Sequence, residues 1–119
     1  MTSHESDTLV IKQWHLYLVD MNPPRKSKPG KVRPAVVVQN VEGLLTAGVT
    51  ILPMTTDLQD ISLHIRIHPR PGLQLLRVSD VVVEEIQTVH KAFFFKDLGA
   101  LLPAEQASIT EALKFHFGF

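Results

Sequence analysis

The chain has 119 residues, the length of one ordinary domain, and with 45% hydrophobic and 20% charged residues it is apolar enough to fold, which excludes a disordered linker or tail. It contains no cysteine, so disulfides, thiolate metal sites, cysteine nucleophiles and thiol redox chemistry are excluded. Twelve basic and twelve acidic residues balance, so any attraction to a polyanion must be local.

Residues 1–11 begin polar and are expected to fray within a single domain spanning 1–119. The start lacks the basic and apolar pattern of a signal peptide, and no run approaches the ~20 apolar residues needed to cross a bilayer, so a cytoplasmic protein without a membrane partner is the expectation. WHLYLVDM, 14–21, combines aromatic and β-branched residues over strand length and predicts a first strand, which Asn22-Pro23-Pro24 ends. The lysine, proline and glycine content up to Lys31 predicts an exposed loop. Pro34 pushes Arg33 toward extended angles, and PAVVVQN, 34–40, reads as a buried strand.

VEGLL, 41–45, reads as a helical turn leading to a third strand, GVTILPM, 48–54, which stops at a Pro53-Met54-Thr55-Thr56 corner. ISLHIRIH, 61–68, alternates throughout, with Ile61, Leu63, Ile65 and Ile67 on a dry face and Ser62, His64, Arg66 and His68 on a wet one. LLRVSDVVVEE, 75–85, supplies further extended residues, and IQTVHKAFFF reads as a short final strand. Pro103 suits a first helical position, Glu105 its first turn, and Ile109, Ala112, Leu113, His116 and Phe117 keep helical spacing to the C-terminus. The fold class is therefore mainly β with α: a twisted antiparallel sheet or partly closed barrel with a C-terminal helix packed on it.

Between Pro24 and Gln39 the cations Arg25, Lys26, Lys28, Lys31 and Arg33 gather with no acid among them. Two readings stand for this stretch: solvated charge on an exposed hairpin, or a phosphate-binding edge in which the arginine fork donates two hydrogen bonds. Arg33 differs from the others because Pro34 and the following valines fix its backbone. If the second and third strands are antiparallel neighbours, the start of one meets the end of the other, and Arg33 comes near Thr55. Taken alone, Thr55 and Thr56 read as turn formers.

Other chemistries find little support. His64 and His68 lie about 13 Å apart on a straight strand, too far for one metal ion. Glu84 and Glu85 alternate across a strand, which argues against a glycosidase pair. The PGKVRP segment lacks the Lys-Ser/Thr of a nucleotide loop, and no Gly-x-Ser-x-Gly elbow occurs. Phe93, Phe94 and Phe95 read as core or subunit interface rather than as a base-stacking platform.

The order of "VDMNPP", the basic loop, "KVRPAVVVQN", "ILPMTT", "EEIQTVHK" and "LGALLPAE" resembles the MazF/PemK-type toxins of bacterial toxin–antitoxin systems, from about Trp14 to the end. The resemblance implies an SH3-like barrel, a homodimer, a cognate antitoxin, and cleavage of single-stranded RNA with no metal or other cofactor, leaving a cyclic phosphate and a 5′-hydroxyl. It implies Arg33 and Thr55 as the catalytic residues; Lys28, Lys31, Thr56, Glu84 and Gln87 are expected along the RNA. Arginine is hard to deprotonate, so Glu84, His15 or His90 is the candidate for activating the 2′-hydroxyl. The chain departs from the family's pattern in its loop, where Ser27 and Lys28 replace a Gly-x-Glu, at Glu85-Ile86-Gln87 in place of Gln-Ile-Arg, at His90 in place of an aspartate, and in lacking the glycine that often opens the first strand. The alternatives are a CcdB-like toxin that binds gyrase without catalysis, or a degenerate relative that keeps only antitoxin binding.

Overall fold

The computed structural model describes residues 9–21, 31–42 and 46–119. Its apolar and β-branched runs form seven strands: β1 His15–Asp20, β2 Val32–Val37, β3 Gly48–Thr55, β4 His64–Ile67, β5 Ser79–Val82, β6 Gln87–His90 and β7 Phe94–Ala100. Among the described residues one α-helix, α1 Pro103–Phe117, follows. All pairings are antiparallel, in the order β4-β5-β3-β2-β1-β7. β3 is long enough to take β2 along one edge and two strands along the other, with β6 on its first half and β5 on its last two residues.

The central strands read as continuous apolar runs because both faces of the sheet are covered. Leu16, Val36, Leu52, Met54 and Val81 point to one side, where Ile109 and Ala112 of α1 pack on them. Tyr17, Val19, Ala35, Val37, Ile51 and Phe94 point to the other. Each such side chain contributes about 1.5–3 kcal/mol by leaving water, so the strand alternation is what holds the register. Tyr17 also ties down the start of the chain: its hydroxyl donates to the Val10 carbonyl at 2.9 Å and accepts the Lys12 N–H at 2.7 Å. Burial pushes this phenol up to about 12.

Pro103 opens α1, and Glu105 serves two roles in its first turn. Its carboxylate accepts the Leu102 N–H at 2.8 Å and takes the Arg70 fork at 2.8 and 2.9 Å, which ties the helix start to the loop after β4. The helix ends at Gly118, whose φ of 77° suits a left-handed cap.

Several sequence expectations shift. β2 begins at Val32, two residues before the expected 34–40 strand, and so includes Arg33. The alternating 61–68 segment is a strand only over His64–Ile67, and Ile61 is exposed; Asp60 and Gln59 are held by side chains, not by a neighbouring strand. His64, assigned to a wet face, has a side chain only 4% exposed because two carboxylates bracket it. Val83–Glu85 form a 3₁₀ turn rather than extended strand, and a second such turn at Lys91–Phe93 divides the expected last strand into β6 and β7. The apolar stripe of α1 leaves the sheet after Leu113, so His116 and Phe117 are exposed. Of the start expected to fray, Leu9 and Ile11 pack against the Tyr17 side of the core, and residues 1–8 lie outside the described residues. Most of the basic loop, residues 22–30 including Lys28, and residues 43–45 of the expected helical turn also lie outside them.

Candidate active site

Arg33 is the second residue of β2 and Thr55 the last of β3. The β2–β3 register pairs Val37 with Ile51, Val36 with Leu52 and Ala35 with Pro53. Two residues beyond the last of these pairs on each strand come Arg33 and Thr55, at the same end of the two neighbouring strands. Strand alternation puts both on the face of Ala35, Val37, Val49 and Ile51. The row extends both ways, since Arg33 pairs with Val19 of β1, Thr55 with Asp80 of β5, and Asp80 with Arg66 of β4. A polar row thus crosses four strands, at the end of a face that is otherwise apolar.

Thr55 and Arg33 are both half-buried. The Thr55 hydroxyl accepts the Asp57 N–H at 3.1 Å, which fixes its oxygen and leaves its proton to donate. No ion pair engages Arg33 among the described residues, and the cation-rich residues 24–31 beside it bring no acid. A guanidinium held at the base by its strand and without a carboxylate partner is suited to an anion from outside.

Next in the row, Asp80 is fully buried and fully engaged. Its carboxylate accepts the Gln59 N–H at 2.8 Å and Arg66 Nε at 3.0 Å, and His64 Nδ1 lies 3.1 Å away. Arg66 continues through Nη1 to Asp60 at 3.0 Å, and His64 Nε2 lies 3.5 Å from Glu84. Burial alone would raise the Asp80 carboxyl, but the bonds from Arg66, the Gln59 N–H and His64 outweigh it and hold the group below the usual carboxylate range. Replacing Arg66 or His64 would leave the buried Asp80 carboxylate short of a donor, and replacing Asp80 would leave both without their shared acceptor, so either change is destabilising. The signal that could have found Asp80 is a single acid inside VSDVVV, since a charge within so apolar a strand has to be paired.

A cleft of about 380 Å³ opens on the other side of the strand ends. Leu18, Pro34, Met54, Leu75 and Leu98 line its apolar wall, and Thr55, Thr56, Gln74, Arg77 and Lys96 add polar groups. Among the described residues no acid lines it, and Thr55 belongs both to the cleft and to the polar row.

The remaining sequence candidates are spread out. Lys31 is exposed just before β2, its amide donating to Asp20 Oδ1 at 3.1 Å, and Thr56 lies in the cleft wall. Glu84 stands on the 3₁₀ turn beside His64, and Gln87 pairs with Ile51, four residues or about 13 Å along β3 from Thr55. Gln87 donates through Nε2 to the Glu85 carbonyl at 3.2 Å. His15 faces Asp97 at 3.0 Å on the β1–β7 edge, and His90 pairs with Gly48 at the far end of β3. Within one chain, therefore, neither Glu84, His15 nor His90 stands beside Arg33 and Thr55.

The family model described as "PemK-like, MazF-like toxin of type II toxin-antitoxin system" matches residues 12–117. A probable endoribonuclease MazF of Mycolicibacterium smegmatis is 32% identical over 95 residues, covering 79% of this chain and 87% of that protein. The endoribonuclease MazF of Staphylococcus epidermidis is 28% identical over 112 residues, covering 92% of each. Among solved structures, the Mycobacterium tuberculosis toxin MazF-mt6 superposes with a TM-score of 0.73 at 19% identity, over 88% of this chain and 97% of that one, a likeness of fold. A chain of the MazE-MazF crystal structure (Form-II) from Deinococcus radiodurans superposes with a TM-score of 0.74 at 17% identity, over 93% of this chain and 98% of that one. With nearly its whole length matched, this chain belongs to the PemK-like, MazF-like toxin family of type II toxin–antitoxin systems.

Proposed function

We propose that the chain is an endoribonuclease that cuts single-stranded RNA in the cytoplasm by attack of a ribose 2′-hydroxyl on its own phosphate. The observation that carries this reading is the juxtaposition of Arg33 and Thr55 on neighbouring strands, with no carboxylate on the guanidinium among the described residues. In the reaction the 2′-hydroxyl gives its proton to water as its oxygen bonds to phosphorus, the bond from phosphorus to the 5′ oxygen breaks, and the departing 5′ oxygen takes up a proton. The products are a 2′,3′-cyclic phosphate and a 5′-hydroxyl. No protein nucleophile is needed, and no metal. What the step does need is stabilisation of the charge growing on the non-bridging oxygens and a proton for the departing oxygen.

Arg33 meets the first need, Thr55 donates a hydrogen bond to a phosphate oxygen, and the departing oxygen takes its proton from water. Both groups are held by strands before the substrate arrives, so they need no reorganisation as the charge develops. Lys28, Lys31, Arg77 and Lys96 offer further cations to the RNA backbone, with Thr56 in the cleft wall. The apolar cleft takes an unstacked base, which a single strand can supply and a duplex cannot. The matched family and the endoribonuclease names of the relatives support the same activity. The active form in this reading is a homodimer, and a cognate antitoxin controls it. One solved relative is an endoribonuclease in complex with its cognate antitoxin.

The test is digestion of mixed-sequence single-stranded RNA by the purified protein in EDTA. The expected result is cleavage at a recurring sequence, and full protection of that linkage when a single 2′-deoxy nucleotide stands on its 5′ side. RNA of every sequence left intact, by a protein that still binds its antitoxin, would leave only a binding role. Cleavage of the deoxy-substituted linkage would refute attack by the 2′-hydroxyl.

A further inference from the structure

We infer that Asp80 is a positioning residue for cleavage: it sets the Thr55 hydroxyl by holding the segment that follows it. This rests on the ribonuclease reading above and assigns a role to a residue that touches no RNA itself.

The segment from Thr56 to Asp60 leaves the sheet after β3 with no strand partner among the described residues, and three contacts define its path. The Asp57 N–H bonds to the Thr55 hydroxyl at 3.1 Å. Two residues on, the Gln59 N–H bonds to Asp80 Oδ2 at 2.8 Å. One residue further, the Asp60 carboxylate meets Arg66 Nη1 at 3.0 Å, and the same guanidinium bonds through Nε to Asp80 Oδ1 at 3.0 Å. Asp80 is thus the common anchor of the two later contacts, and it is also the strand partner of Thr55. Its carboxylate is completely buried, whereas Asp57, Leu58 and Gln59 are exposed, so the fixed point is Asp80 and the segment is what it fixes. Released from Gln59, the Asp57 amide is no longer held over the Thr55 oxygen, and the hydroxyl regains its rotamers. A hydroxyl that must meet a charge developing on one phosphate oxygen loses rate when it is misplaced by a fraction of a bond length, whereas ground-state RNA binding, spread over many contacts, changes little.

The experiment is a double-mutant cycle on an RNA oligonucleotide that the wild-type protein cuts, with Asp80→Asn, Thr55→Val and the pair measured for kcat and KM. Asp80→Asn should lower kcat about 10- to 100-fold with KM within about twofold of wild type. In the Thr55→Val background the same substitution should cost nothing further, because the hydroxyl it positions is gone. Losses that multiply would overturn the proposal and leave Asp80 a general stabiliser. If Asp80→Asn does not fold, Arg66→Gln takes its place in the same cycle. Arg66 is one-third exposed and links Asp80 to Asp60, and its smaller kcat loss should likewise disappear without the Thr55 hydroxyl.

Amide hydrogen exchange reads the anchoring without catalysis, which separates this claim from the ribonuclease reading. Asp80→Asn, or Arg66→Gln in its place, should speed exchange at Asp57 and Gln59 at least tenfold while Val36 and Val37 stay as in wild type. Unchanged exchange at Asp57 and Gln59 would overturn the proposal even if RNA is cut. Intact RNA with wild-type protein would sink the ribonuclease reading alone.

Discussion

Arg33→Ala should lower the rate of RNA cleavage by about 10²–10³-fold or more while the protein keeps its fold. The size follows from the task. A guanidinium facing the non-bridging oxygens interacts more strongly as charge accumulates there, and alanine removes the charge and both prongs of the fork together. The small structural cost follows from the surroundings, since Arg33 engages no carboxylate among the described residues and its strand is held by Pro34, Ala35, Val36 and Val37. Thermal unfolding should therefore shift by no more than a surface substitution does, about 0.5 kcal/mol. Arg33→Lys should recover part of the rate, because it keeps the charge and loses the planar fork. Single-turnover cleavage beside a melting curve checks all of this. An Arg33→Ala protein that cuts at the wild-type rate would remove Arg33 from the chemistry.

The second large effect lies away from the site. Gly99→Ala should destabilise the protein by about 3 kcal/mol or more, a large part of the roughly 5–15 kcal/mol that a folded domain holds. Gly99 sits in β7 where the β1 pairing shifts register, with φ of 119°, a backbone conformation closed to side chains. A Cβ there would come 2.2 Å from the Gly72 carbonyl oxygen and 3.3 Å from Leu73 Cα, both backbone atoms that cannot rotate aside. That close approach lets Gln74 donate to the Leu98 carbonyl at 2.7 Å, which brings the 70–76 loop over the sheet and builds one wall of the cleft. Gly118→Ala is the control: φ there is 77°, but nothing lies within 4 Å, so only backbone strain of about 1–2 kcal/mol is expected. Urea unfolding of the two variants should separate them clearly, and equal midpoints would refute the steric argument.

The strands that carry the site were legible because their signals are local. Two buried faces produce the apolar runs of β2 and β3, Pro34 extends the backbone at Arg33, and a short connection makes the two strands neighbours. Arg33 and Thr55 could be brought together on those grounds, and the family resemblance selected the same two residues. What was not legible depended on long-range partners. The alternation of 61–68 holds to the end in the sequence, yet only His64–Ile67 pair with β5, because pairing is limited by the partner's length and not by the pattern. His64 and Arg66 look solvated until Asp80, 16 and 14 residues further on, is placed opposite them. β7 was hidden because Lys96, Asp97 and Gly99 interrupt its apolar run, and it forms as the edge partner of β1. The general base could not be picked from sequence either: Glu84, His15 and His90 are all plausible types, and only their positions show that none adjoins Arg33 within one chain.

The most direct test is a crystal structure of the protein with a single-stranded RNA analogue carrying a 2′-O-methyl group at the cleaved linkage. The phosphate of that linkage should lie between β2 and β3, with Arg33 and the Thr55 hydroxyl of one protomer each about 2.7–3.2 Å from its non-bridging oxygens. A phosphate seated elsewhere, with Arg33 and Thr55 both out of reach, would contradict the account.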